Sequence, residues 1–200
     1  TYGYTPASVL QDEPTNFGGY TPRNSGYAYY GPVTIRTALK NSLNVCAVAL
    51  LNQIGIQAGM DYLSSVGIPL DARDGNLSLA LGSMTYGVSP VILAAAYSPF
   101  ANGGVYHEPY FIEKITDLDG RIIYQHQDSG TRVLSAQSAY LMTDMLRTVT
   151  TSGTGAKLSG AGVQVAGKTG TVNMTGGGNR DVWMAAYTAE VSMATWMGFD

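Results

Sequence analysis

Lys168-Thr169-Gly170-Thr171 puts a cation, two hydroxyls and a glycine at the end of an apolar stretch. On a strand, alternate side chains share a face, so Lys168 and Gly170 point one way and Thr169 and Thr171 the other. Glycine carries no side chain, so a ligand can approach the main chain at Gly170. An extended ligand can pair with such an edge as an added strand. The hydroxyls can hold a carboxylate while Lys168 supplies positive potential. The bland alternative is an exposed edge strand whose lysine guards against aggregation. A second cluster is Ser42-Leu43-Asn44. Residues two apart on a helix point about 200° from one another. Ser42 and Asn44 can therefore serve one cleft only where regular helix is interrupted. The alternative here is a plain helix–helix junction with Asn44 as N-cap.

The surrounding elements must hold these two clusters. Residues 1–31 are rich in Gly, Pro, Asn and Tyr (Tyr2, Tyr4, Tyr20, Tyr27, Tyr29, Tyr30) and read as ordered loop. Tyrosine covers apolar surface while keeping a polar tip, which favours a packed loop over a linker. Gly31-Pro32 is expected to open a helix, with Pro32 in its first turn. A second helix runs from Val45 to Ile54 and stops at Gly55, and a third covers 57–66. Ser89-Pro90 starts a helix over Val91–Ala101. It is apolar nearly all round, so it is expected to be buried on most sides. Phe111–Thr116 and Arg121–Gln125 read as a hairpin turning at Asp119-Gly120, and Ser135 caps a helix from Ala136 to about Val149. Thr151-Ser152-Gly153-Thr154-Gly155 breaks it. Val163 and Val165 lead into the lysine-bearing strand. Val182–Thr188 and Val191–Gly198 form a last hairpin. This divides the chain into a loop region (1–31), a mainly helical part carrying Ser-x-Asn (32–110), and a hairpin, helix and sheet part carrying Lys-Thr-Gly-Thr (111–200).

Taken together, Ser-x-Asn and Lys-Thr-Gly, in that order and well separated, resemble the penicillin-binding proteins and class A β-lactamases, whose motif set is Ser-x-x-Lys, Ser-x-Asn and Lys-Thr-Gly. The flanking residues resemble the class A, bifunctional penicillin-binding type: Thr21-Pro22-Arg23-Asn24, the run from Gly31 to Asn44, Phe100-Ala101-Asn102-Gly103-Gly104, Gly153-Thr154-Gly155, Val165–Thr171, and Trp183 with Gly198-Phe199-Asp200. The likeness extends over essentially the whole chain. It implies an α/β (α+β) fold of the β-lactamase/transpeptidase type, with an antiparallel sheet flanked by helices and an all-helical subregion.

One motif departs from the pattern. No serine in the chain is followed three residues later by lysine. Thr37…Lys40 and Thr154…Lys157 have the spacing with threonine, but neither stands where the family keeps its nucleophile, and both read as structural. The expectation is a chain lacking the upstream strands and the nucleophile helix, inactive alone and poorly stable without that segment. The middle motif is Ser-Leu-Asn, whereas the β-lactamases carry Ser-Asp-Asn.

The resemblance implies a D-Ala-D-Ala transpeptidase that cross-links peptidoglycan stem peptides through a serine acyl-enzyme and is acylated by β-lactams. Ser42 would relay a proton to the leaving amine, and Asn44 would bind the substrate's peptide carbonyl. Lys168 would tune the relay. Thr169 and Thr171 would bind the terminal carboxylate beside Gly170, and the Thr171 N–H would form half of an oxyanion hole. No cofactor is implied. The full protein would sit on the extracytoplasmic face of the bacterial membrane, held by an anchor outside this chain and joined to an upstream glycosyltransferase domain. A β-lactam-sensing receptor domain and a serine β-lactamase or carboxypeptidase are the rival readings.

Composition narrows the classes further. Hydrophobic residues make up 45% and charged residues 12%, with net charge −3. That supports a sizeable core and argues against disorder and against a nucleic-acid binder, which carries a basic surplus. No stretch reaches the roughly 18 apolar residues of a membrane span. Cys46, the only cysteine, lies in an apolar run and reads as a small buried hydrophobe. His107 and His126 belong to no motif, and no metal-ligand spacing is visible.

Overall fold

The computed structural model describes residues 3–174 and 176–199; Tyr2 and Asp200, both noted above, lie outside them. The loop region contains a strand. β1 (Val9–Asp12) pairs antiparallel with β2 (Gly31–Thr34), Leu10 opposite Val33 and Gln11 opposite Pro32. Alternation along β1 buries Leu10 and Asp12. Gly31-Pro32 therefore does not open a helix. Pro32 fits a two-stranded ribbon, where a missing N–H is tolerated. The helix α1 (Ile35–Asn41) starts three residues later because the Thr34 hydroxyl accepts from the Thr37 N–H at 3.2 Å and so caps it.

Two further helices follow, α2 (Asn44–Ile54) and α3 (Ile56–Ser65), separated by Gly55 at φ 91°. α2 buries Val45, Cys46, Val48 and Leu51. Leu10, Ala38, Leu43 and Cys46 form one core cluster, which welds the β1–β2 ribbon to the α1–α2 junction. Burial and the nearby Asp12 carboxylate push the Cys46 thiol up to about 12, so it stays a neutral hydrophobe.

α4 (Pro90–Ala101) begins where expected, with Ser89 accepting from the Ile92 N–H. Its burial is less even than its composition suggests. Pro90 and Val91 are exposed, Ala96 and Pro99 are buried, and the rest are half-buried. After the short pair β3 (Val105–Tyr106) and β6 (Thr131–Arg132), the hairpin β4 (Lys114–Thr116) and β5 (Ile122–Gln125) projects with every strand residue exposed. Phe111 and Ile112 precede it unpaired. Between β6 and the sheet, α5 (Ala136–Ser152) is capped by Ser135 and runs three residues past Val149.

The sheet is β7 (Ala166–Asn173), β8 (Asn179–Tyr187) and β9 (Ser192–Gly198), antiparallel in that order. α4 and α5 pack against it. Leu146 and Val149 meet Ala166 and Tyr187, with Tyr97 and Phe100 closing the cluster. The Thr143 hydroxyl donates to the Phe100 carbonyl, so the Tyr187 hydroxyl is the donor in its 2.8 Å contact with Thr143. These contacts fix the start of β7, from which the lysine-bearing segment extends.

Candidate active site

Ser42 owes its position to the way α1 ends. Its backbone is left-handed, φ 56° and ψ 48°. The Ser42 N–H donates to Leu39 O and the Leu43 N–H to Ala38 O, a Schellman ending with Leu43 buried beneath it. Glycine usually fills that left-handed place, because a Cβ costs about 1–2 kcal/mol there. A serine there indicates that the hydroxyl is worth the strain. The junction breaks the helix between Ser42 and Asn44, which the shared-cleft reading of Ser42-Leu43-Asn44 requires.

Asn44 does not cap α2. Leu43 holds the cap position and offers no side-chain acceptor. Asn44 is the first helical residue, and its Nδ2 donates to Arg23 O at 2.8 Å.

Lys168 lies on β7, the edge of the sheet, and its Nζ donates to Ser42 Oγ at 2.8 Å and to Thr169 O at 2.9 Å. The two motifs seen in the sequence, 126 residues apart, therefore meet side chain to side chain. Burial holds the Lys168 ammonium down at about 8. Because Lys168 donates to Ser42, the serine's own proton remains free for another acceptor.

Thr169 points to the other face, as alternation requires, and its hydroxyl donates to Thr154 Oγ1 at 2.8 Å. Thr154 in turn donates its N–H to Lys40 O. A Cβ on Gly153 would sit 2.4 Å from Lys40 O, so only glycine lets this turn thread between the end of α1 and β7. The threonine of Gly153-Thr154-Gly155 thus joins the site, although the sequence shows it only as a breaker. Gly170 has a further reason to be glycine, since a Cβ there would lie 3.2 Å from the Trp183 Cβ across the strand pair. Thr171, next along the edge, is exposed.

The α1 side of the site is braced by Arg36, which pairs with the Asp144 carboxylate and donates to Thr148 Oγ1 on α5. His107 pairs with Asp128, and His126 stacks on Tyr110 beside the β4–β5 hairpin. Among the described residues, no group of three or more His, Cys, Asp or Glu side chains is placed to hold a metal ion. No described helix is long and apolar enough to cross a membrane.

A helix-flanked antiparallel sheet, with an edge-strand lysine bonded to a serine at a helix junction, defines a β-lactamase/transpeptidase-like domain. Residues 3–198 match the penicillin binding protein transpeptidase domain, and the chain belongs to that family. It is 44% identical over 199 residues to Penicillin-binding protein 1F of Bacillus subtilis, covering 98% of this chain and 28% of that protein. It is 38% identical over 212 residues to Penicillin-binding protein 1A of Streptococcus pneumoniae, covering 96% and 29%. The chain thus spans less than a third of either relative's length. Among solved structures, Penicillin-Binding Protein 1A from Haemophilus influenzae superposes with TM-score 0.86 at 27% identity, covering 100% of this chain and 35% of that one. PonA1 from Mycobacterium tuberculosis, in complex with penicillin V, gives TM-score 0.87 at 27% identity, covering 99% and 56%.

Proposed function

We propose that this domain serves a D-Ala-D-Ala transpeptidase that cross-links peptidoglycan stem peptides through a serine acyl-enzyme, and that penicillin and other β-lactams acylate the same site. The observation that carries the reading is the 2.8 Å contact from Lys168 Nζ to Ser42 Oγ, made by an enclosed lysine held at about 8.

The nucleophilic serine and its lysine base come from polypeptide outside these 200 residues. The serine attacks the D-Ala-D-Ala carbonyl; a C–O bond forms, the peptide C–N bond breaks, and D-Ala leaves. The serine proton reaches the leaving nitrogen through the base and Ser42, whose hydroxyl proton Lys168 leaves free. Asn44 donates its remaining amide hydrogen to the substrate's peptide carbonyl. Thr171 binds the terminal carboxylate through its hydroxyl, within the positive potential that Lys168 supplies, and its N–H stabilises the oxyanion. Thr169 joins the carboxylate site once its hydroxyl turns from Thr154. An amine of a second stem peptide then attacks the ester, forms the cross-link and releases the serine. A β-lactam presents the same carbonyl and carboxylate and remains attached. The work is done on the extracytoplasmic face of the cell membrane.

Labelled penicillin on the full-length protein tests this. The wild type takes up label covalently, and Ser42→Ala and Lys168→Ala slow uptake by about 10²-fold or more while leaving the domain folded. Absent labelling, or labelling unaffected by both substitutions, refutes the assignment.

A further inference from the structure

Asn24 is a buried amide with every polar atom engaged. Its Nδ2 donates to both Asp12 carboxylate oxygens, at 2.8 and 3.0 Å, and to Ala28 O at 2.9 Å. Its Oδ1 accepts from the Val45 N–H at 3.2 Å. Asp12 is fully buried, and its carboxylate also accepts from the Tyr30 N–H at 3.1 Å. The set admits one orientation of the amide. Turned over, Asn24 would aim oxygen at the Asp12 carboxylate and at Ala28 O, and an NH2 group at the Val45 N–H. Val45 is the second residue of α2, whose own cap residue Leu43 has no acceptor. Asn24 therefore caps α2 from 21 residues away, meeting a donor that the helix start leaves open.

The same residue fixes a neighbouring acceptor. The Arg23 carbonyl, joined to Asn24 through one peptide bond, receives the Asn44 Nδ2. We propose that Asn24, oriented by the buried Asp12 carboxylate, is a positioning residue: it holds the start of α2 and the Arg23 carbonyl so that the Asn44 amide presents its second N–H to the substrate carbonyl. This inference rests on the transpeptidase reading for its consequence, but the tie itself stands on geometry alone. Asn24 touches no substrate and acts through Asn44.

The claim separates a positioning role from a structural one. If Asn24 only stabilised the fold, its loss would lower the melting temperature and leave acylation of the folded protein unchanged. If it acts through Asn44, its loss slows acylation well below the melting temperature, and the loss disappears once Asn44 is gone.

The test uses the full-length protein, with labelled penicillin for the acylation rate and hydrogen exchange for the peptide spanning residues 43–48. Asn24→Ala is expected to slow acylation by about 10- to 100-fold, to speed exchange at the start of α2, and to add nothing in an Asn44→Ala background. Asn24→Ser, whose hydroxyl stops short of Val45, is the milder variant and shows the same pattern should Asn24→Ala fail to fold. Asp12→Asn puts an NH2 group against Asn24 or Tyr30, which favours the wrong amide orientation, so it reproduces the exchange change. Additive losses in the double variant, or an unchanged rate with unchanged exchange, overturn the proposal. Absent labelling of the wild type removes the transpeptidase reading instead; the exchange result then decides the Asn24 tie by itself, unchanged protection refuting it.

Discussion

Lys168 carries the sharpest single-residue consequence. Its ordinary value of 10.5 falls to about 8 because burial penalises the charged form. The unfolded chain keeps that proton up to about 10.5, so between roughly 8 and 10.5 the unfolded state holds more protons and stability rises with pH. Below about 8 the whole penalty is present. Lys168→Met is therefore expected to raise stability at pH 7 by about 1–2 kcal/mol while removing acylation, and the gain should shrink as pH climbs toward 10.5. Thermal melts across that range check it; a fall in stability at pH 7 would contradict it. Thr171 gives a second expectation. Its exposed hydroxyl is the one proposed to meet the substrate carboxylate, whereas the N–H belongs to the backbone. Thr171→Ala should weaken acylation by carboxylate-bearing penicillin by about 10- to 100-fold and leave the slower reaction of its methyl ester nearly unchanged. Equal losses for acid and ester would count against that division. The residue types at 168–171 and 42–44 were legible in the sequence. The partners Thr154 and Asn24 were visible only as a turn and a matched tetrapeptide, because Thr169 lies 15 residues from Thr154 and Val45 lies 21 from Asn24, separations that leave no periodic mark.

At the scale of elements, strong local grammar was readable. Ser89-Pro90 and Ser135 announce helices with their own side chains, and Gly55 ends one. The start of α1 was misplaced because Pro32 satisfies two grammars at once, a first helical turn and a ribbon residue without a needed N–H. Only the pairing of residues 9–12 with 31–34 decides between them, and Val-Leu-Gln-Asp is too short a run to announce itself as a strand. The alternative in which Asn44 caps α2 fails for a related reason: the acceptor for the helix start comes from a distant loop. The left-handed Ser42 at the α1–α2 junction makes a prediction at this scale. Ser42→Ala keeps the strained Cβ, whereas Ser42→Gly removes it. Glycine should therefore be the more stable of the two by about 1 kcal/mol, with both equally slow in acylation. Denaturant midpoints measured side by side decide it, and alanine as stable as glycine would mean the left-handed turn carries no strain.

The molecule as a whole leaves much apolar surface uncovered. Phe111 is 88% exposed, Leu118 wholly so, Met197 75% and Phe199 70%. Val182 and Met197 face one another on the outer side of β8 and β9, and β9 has no further partner strand among the described residues. Patches of this kind mark surfaces meant for contact. The 200-residue chain by itself is expected to bind a hydrophobic dye and to associate at micromolar concentration, as dye fluorescence and gel filtration would report. A monodisperse, dye-free monomer would show that these faces tolerate water. The fold class was legible through the family resemblance that Ser42-Leu43-Asn44 and Lys168-Thr169-Gly170 carry; how the pieces close on one another was not, since no local pattern encodes a meeting across 126 positions. That separation between Ser42 and Lys168 sets a timetable for synthesis. A ribosome must deliver residue 168 before the first hydroxyl has a lysine to meet, so a half-made copy has no relay to offer. On the transpeptidase reading, penicillin reacts quickly only with chains that already carry residue 168.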